Sequence, residues 1–230
     1  MSAAKQDAMI WMNHTFGHDM DAAVAGTPIP RKLLIAIGIQ ETFYIWARMY
    51  KTARPEDVLG VCVGDTIDFP RRQSAWPKNR SELEAHPKGH AMFKVARTAL
   101  ERIAAVNSGY RTAARNPDKF CHGFGMFQYD IQFFKNDPDF FLDGTWTTWQ
   151  GTLGRGMVEL KGKCTQLYGA NKSRLSHDEC VYLGIAYNRG VTRTKREMTT
   201  KRFKQGFKDS DGIYYGEHID INLRAMSGLF

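Results

Sequence analysis

Several things are missing from this sequence, and each absence narrows the reading. Met1 to Gly17 has no charged start followed by an apolar run, so no secretory leader is visible. Export, if it occurs, would use another route or a leader lost from this chain. The apolar segment Leu33 to Ile39 is too short to span a bilayer, and no stable membrane insertion is expected. Cysteine is scarce, with four residues (Cys62, Cys121, Cys164, Cys180), and no pair has CxxC or other zinc-ligand spacing. An even count allows disulfides in an oxidising compartment, and four reduced buried thiols are the equal alternative. There is no uninterrupted Lys/Arg block of the tail type, no internal repeat, no low-complexity tract and no nucleic-acid-binding motif.

What is present suits a globular chain. Its 230 residues fit one domain, or one domain with a large insertion, and 43% hydrophobic content is ordinary. Aromatic content is high at 12%, which fits a sugar groove as well as a core. The net charge is +8 and the pI about 9.3, so the surface is attracted to polyanions: nucleic acid, anionic membranes or phosphate- and carboxylate-rich walls. The densest basic cluster, Arg193 to Lys208, is interleaved with Thr, Phe and Gly. A solvated basic face is the plain alternative.

Hydrophobic spacing predicts a mainly α protein. A short first helix precedes a turn at Gly26 to Pro30, and residues 31–50 read as a helix apolar around most of its circumference. Residues 51–80 are irregular, broken by Pro55, Gly60, Gly64, Pro70 and Pro77. Further helices are expected over about 91–106, 146–167, 180–187 and 215–226, with loop over 107–122 and a tight loop over 122–130. Gly190 is placed to cap the helix over 180–187. His14/His18 and His86/His90 have i, i+4 spacing without a third ligand, so no metal is expected.

Glu41 is the one carboxylate in the apolar helix 31–50. Burial there disfavours the charged form, which is the state a general acid needs near neutral pH. The alternative is a buried Glu satisfied by a backbone group or by an arginine such as Arg48. The pattern alone leaves the two readings level.

Three segments, in order, resemble the motifs of lytic transglycosylases and goose-type lysozymes (glycoside hydrolase family 23 and relatives). Ile39-Gln40-Glu41-Thr42 is similar to the family's catalytic Glu-Ser. Gly123-Phe124-Gly125-Met126-Phe127-Gln128 is similar to its Gly-Leu-Met-Gln loop, and Ile185-Ala186-Tyr187-Asn188-Arg189-Gly190 to its Ala-Tyr-Asn-Ala-Gly motif. Tyr214 to Ile219 weakly resembles the family's C-terminal helix. The resemblance implies a lysozyme-like fold, with Glu41 as general acid. It implies that Thr42, Gly125, Met126 and Gln128 contact substrate, with Gly125 and Gln128 on the cleft floor, and that Tyr187 and Asn188 line the cleft beside the scissile bond.

Two departures stand out. Thr42 replaces the usual Ser. Glu41 and Gly123 are 82 positions apart, far more than in the family, so residues 52–120 look like an insertion after the catalytic helix. Cys62–Cys121 and Cys164–Cys180 are the disulfides this arrangement suggests.

Asp130, two residues after Gln128, is the candidate second carboxylate that an inverting hydrolase needs to activate water. Capping the next helix is its alternative role. A transglycosylase instead uses the sugar's own 6-hydroxyl. The expectation is therefore a single lysozyme-like catalytic domain over 1–230, secreted or periplasmic, monomeric and cofactor-free. It would act on peptidoglycan or a related N-acetylhexosamine glycan rather than on nucleic acid. A chitinase of the same fold, or a non-catalytic basic glycan- or nucleic-acid-binding protein, are the alternatives. Of the tryptophans, Trp76 is the one placed to meet a sugar.

Overall fold

A computed structural model describes residues 2–67 and 76–229. Pro70, one of the expected helix breakers, lies outside the described residues. In chain order come α1 (Ala3–Val24), α2 (Arg31–Trp46), α3 (Pro55–Leu59), β1 (Val63–Ile67), α4 (Arg80–Glu84), α5 (Gly89–Val106) and α6 (Arg111–Ala114). They are followed by β2 (Phe120–Phe124), β3 (Tyr129–Asp130), α7 (Pro138–Leu142), α8 (Trp149–Tyr168), α9 (His177–Arg189), α10 (Val191–Lys201) and α11 (Tyr215–Ala225). The protein is mainly α with one small sheet. The chain divides into two compact units, Met1–Phe43 with Leu153–Phe230, and Tyr44–Thr152; the division falls within α2 and α8.

In the first unit, residues 33–39 of α2 are all buried, as its apolar circumference requires. Each large side chain among them stabilises the fold by roughly 1.5–3 kcal/mol. The fully buried Asn222 of α11 donates from Nδ2 to the Ala36 carbonyl (3.2 Å), tying α11 to the middle of α2. α9 starts at a capping box, with Ser176 accepting from the Glu179 N–H and Glu179 accepting from the Ser176 N–H. It stops at Gly190, whose φ of +88° suits glycine. α9 and α11 pack closely because Gly184 leaves room for Ile219 and Gly216 for Ile185. α10 is a helix that the hydrophobic spacing does not predict.

In the second unit, α5 lays Met92, Phe93, Ala96, Leu100 and Ile103 inward at helical spacing, and Phe93 meets Phe120 of β2 edge-on at 5.6 Å. The sheet corrects the expected loops over 107–122 and 122–130. Its order is β1-β2-β3, antiparallel throughout, with Gly64 opposite Gly123 and Gly123 opposite Asp130. Strands this short and rich in Gly and Asp carry little of the β-branched alternation that marks a strand in sequence.

The suggested disulfides are also corrected: all four cysteines are free, buried thiols. The register shows why Cys62 and Cys121 stay apart. Cys121 faces Thr66, four positions along the strand direction from Cys62, or roughly 13 Å at a strand's rise per residue. That exceeds the reach of a disulfide. The Cys62 thiol donates instead to the Val58 carbonyl (3.2 Å). Burial pushes the Cys180 thiol up to about 11, and the Cys121 and Cys164 thiols upward as well, so all favour the unreactive protonated form.

Candidate functional site

The polar side chains singled out in the sequence fall into two clusters, one in each unit. The first is built on Glu41. It lies on α2 one turn before the end of the helix and is half-buried. The hydroxyl of Tyr215, the first residue of α11, donates to its Oε1 at 2.6 Å, across 174 residues of chain. Tyr215 is 4% exposed. Burial first, then the charge of Glu41 and its hydrogen bond, push the phenol well above its usual range. Tyr215 therefore keeps its proton and stays a donor to the carboxyl group.

The chain before α11 holds this tyrosine in place. The Tyr215 N–H donates to the Phe207 carbonyl (2.8 Å) and the Gly216 N–H to the Gln205 carbonyl (3.0 Å). Gly206, at φ +88°, lies directly against the Tyr215 side chain, where a Cβ would collide with it. The same glycine faces the Asn188 side-chain oxygen, so the end of α9 joins the cluster. Tyr187 is half-buried, close enough to Tyr215 for its charge to raise the Tyr215 phenol further. The Lys163 ammonium sits 5.5 Å from the Tyr187 ring centre. Asn188 is exposed. Tyr187 and Asn188 thus lie around Tyr215 and Gly206, and Tyr215 links them to Glu41. Thr42 is placed differently: it is fully buried, and its hydroxyl donates to the Gly38 carbonyl (3.0 Å). A side chain without exposed surface braces the helix under Glu41 and does not meet a ligand.

The second cluster lies on the sheet. Gly125, at φ +77°, is buried, and a Cβ there would strike the Thr152 hydroxyl and crowd the Trp146 carbonyl. Met126 is fully buried. The Gln128 amide donates to the Gly125 carbonyl (2.9 Å) and, more weakly, to the Cys62 carbonyl (3.4 Å). Its Oε1 occupies the space that side chains would need at Gly64 and Gly123. The space beside Gly125, expected on a cleft floor, is taken by Thr152, and that beside Gly64 and Gly123 by Gln128 itself.

Asp130 caps the 3-10 turn that follows it, accepting from the Gln132 N–H (2.9 Å), so the capping role is the one observed. Its other oxygen lies 2.9 Å from His122 Nδ1. His122 Nε2 is 3.4 Å from an oxygen of Asp65, which falls opposite it in the register. A 7%-exposed imidazole thus bridges β1 and β3 through both nitrogens, an arrangement that suits two N–H donors. Asp65 takes φ +47°, which Asp tolerates better than most residues. Nearby, the Tyr44 and Tyr110 hydroxyls are 3.2 Å apart, and burial pushes the Tyr110 phenol up to about 12.

Trp76 is turned inward, stacked on Phe134 (6.5 Å) with Lys135 Nζ 4.2 Å from its ring centre. Among the described residues no group of His, Cys, Asp and Glu is arranged to hold a metal ion. Nor is any described helix long and apolar enough to cross a membrane.

Sequence reasoning does not reach Tyr215, His122 or Asp65. Tyr215 carries two signals, its place at the start of the last helix and the weak resemblance over Tyr214 to Ile219, and neither gives it a role. His122 and Asp65 carry none without the strand register. Compared with protein-family models, curated proteins and solved structures, the chain matches none.

Proposed function

We propose that the protein cleaves the β-1,4 glycan strand of peptidoglycan, with Glu41 as general acid in a lysozyme-like fold. The observation that carries the reading is the hydrogen bond from Tyr215 to a half-buried carboxyl group, with Tyr187 close to the same phenol and Asn188 near the Gly206 that packs on the tyrosine. A glycosidic oxygen leaves readily only if it is protonated as the bond breaks. When Glu41 gives up that proton its charge appears beside a phenol that is already oriented and cannot ionise first. A fixed donor of this kind stabilises the developing carboxylate more than the neutral acid, and so favours the transition state over the ground state. Tyr187 supplies a ring edge, and Asn188 a side-chain amide suited to an N-acetyl group.

The acid is the same for hydrolysis and for anhydro-forming transglycosylation. Both oxygens of Asp130 are engaged in its own unit, so the proposal rests on Glu41 and not on a pair of carboxylates. In this reading residues 52–120 are an addition to the lysozyme-like plan; they lie within the Tyr44–Thr152 unit together with the Gly123–Asp130 hairpin. The net charge of +8 favours an anionic wall over neutral chitin.

The test is digestion of purified peptidoglycan by wild type and Glu41→Gln, with products read by mass spectrometry. Muropeptides from wild type and none from the variant are expected. Anhydro ends identify a transglycosylase and reducing ends a hydrolase. A wild type that releases nothing from either peptidoglycan or chitin oligomers ends the enzymatic reading.

A further inference from the structure

The charge of this protein is concentrated in one place. Residues 191–208 contain seven Lys/Arg and one carboxylate, Glu197, a net +6 of the chain's +8. All seven cations are exposed: Arg193, Lys195, Arg196 and Lys201 on α10, then Arg202, Lys204 and Lys208 on the segment after it. Glu197 is turned inward, accepting from Arg189 at 2.7 Å. Among the described residues no carboxylate pairs with Arg193, Lys195, Lys204 or Lys208.

The start of this pattern works against the helix that carries it. α10 has no acidic residue in its first turn and no side-chain cap, and Arg193 stands in that turn. Positive charge there opposes the helix dipole, and the like pair Arg193/Arg196 at i, i+3 adds repulsion. A merely solvated helix gains from acids at its start. A helix that meets an external polyanion gains from what is seen here.

We infer that α10 and the segment to Lys208 form a docking surface for a flexible phosphodiester polymer of the bacterial wall. Helical spacing spreads the four exposed cations of α10 around the helix, which suits a mobile string of phosphates. Among the described residues of this unit Phe207 is the one exposed large ring (73%), and they offer no ladder of aromatic platforms for stacking successive bases. The surface itself follows from charge and exposure; the wall as the source of the polymer rests on the glycan-cleaving reading.

The test uses the full chain carrying Glu41→Gln, so that walls stay intact, with and without Arg193→Gln/Lys195→Gln/Lys204→Gln. Co-sedimentation is measured with purified walls that keep their phosphodiester polymers and with walls stripped of them by acid. Stripping is expected to weaken binding at least tenfold. The triple change should do the same on unstripped walls and little on stripped ones. The slope of log affinity against log salt should flatten by about 2, at roughly 0.7 for each phosphate of a flexible chain that is no longer neutralised. Circular dichroism confirms that the variant is folded. Equal binding to stripped and unstripped walls, or undiminished binding by the folded variant, overturns the inference. So does tighter binding to a single-stranded oligonucleotide than to the isolated wall polymer at equal phosphate, which would make the surface a nucleic-acid interface. Binding that depends on the polymer, together with failure of wild type to cleave any glycan, refutes the catalytic proposal alone.

Discussion

Each of the two units of this protein contains a carboxylate that is a candidate for catalysis, and their surroundings differ. Oε1 of Glu41 accepts from a buried phenol that keeps its proton. Asp130 accepts from a backbone N–H on one oxygen and meets an imidazole on the other. The first arrangement sets a carboxyl group against a fixed hydroxyl donor. The second uses a carboxylate to fasten the strands and turn around it. The same contrast runs through the glycines. Gly206 lets Tyr215 approach the chain that aims it, whereas the space over Gly64, Gly123 and Gly125 is already filled by Gln128 and Thr152.

The sharpest way to break this contrast is to remove each carboxylate in turn. Glu41→Gln should lower glycan cleavage by about 10²–10⁴-fold with the melting temperature nearly unchanged. Asp130→Asn should keep the rate within about tenfold and instead lose on the order of 1 kcal/mol of stability, as a weakened cap does. Reversal of these two outcomes, read from initial rates and thermal melts, would exchange the roles assigned here.

Tyr215→Phe removes only the donor. A hydrogen bond to a charged group is worth about 1.5–3 kcal/mol, so kcat should fall by roughly 10–100-fold with KM little altered. A rise in KM at constant kcat would mean that the tyrosine binds substrate and does not serve Glu41.

His122→Ala should act on the other unit alone. Leaving Asp130 without its imidazole partner costs about 1–3 kcal/mol, or a melting temperature lower by roughly 3–10 °C. Cleavage at a temperature where the variant is folded should match wild type.

The smallest effect concerns pH. Hydrogen bonds from Arg189 and Lys201 hold the Glu197 carboxyl at about 2, below its unfolded value of about 4.3. A depressed carboxyl stabilises the fold above the unfolded value, and the contribution is lost as pH falls through that value toward 2. The melting temperature of wild type should therefore decline more steeply from pH 5 to pH 2 than that of Glu197→Gln. Parallel curves would mean that the α9–α10 ion pair contributes nothing to stability.

Much of the helical framework is legible in the sequence because its signals are local. The apolar wrap of α2 marks a buried helix, and Gly190 marks the end of α9. Helix α10 is not legible because its side chains are too polar to show a buried face. The sheet is not legible because five-residue strands with glycine in them lack a readable period.

By itself the sequence determined that the protein is mainly α, that Glu41 stands alone in an apolar helix, and that positive charge gathers between Arg193 and Lys208. These follow from composition and from neighbours a few residues apart. Tertiary structure alone decided that Glu41 meets Tyr215 from 174 residues away, that His122 joins Asp65 to Asp130, and that Cys62 and Cys121 lie too far apart to bond. Those contacts depend on strand register and helix packing, and both are set by how distant apolar faces fit together, which no local pattern records.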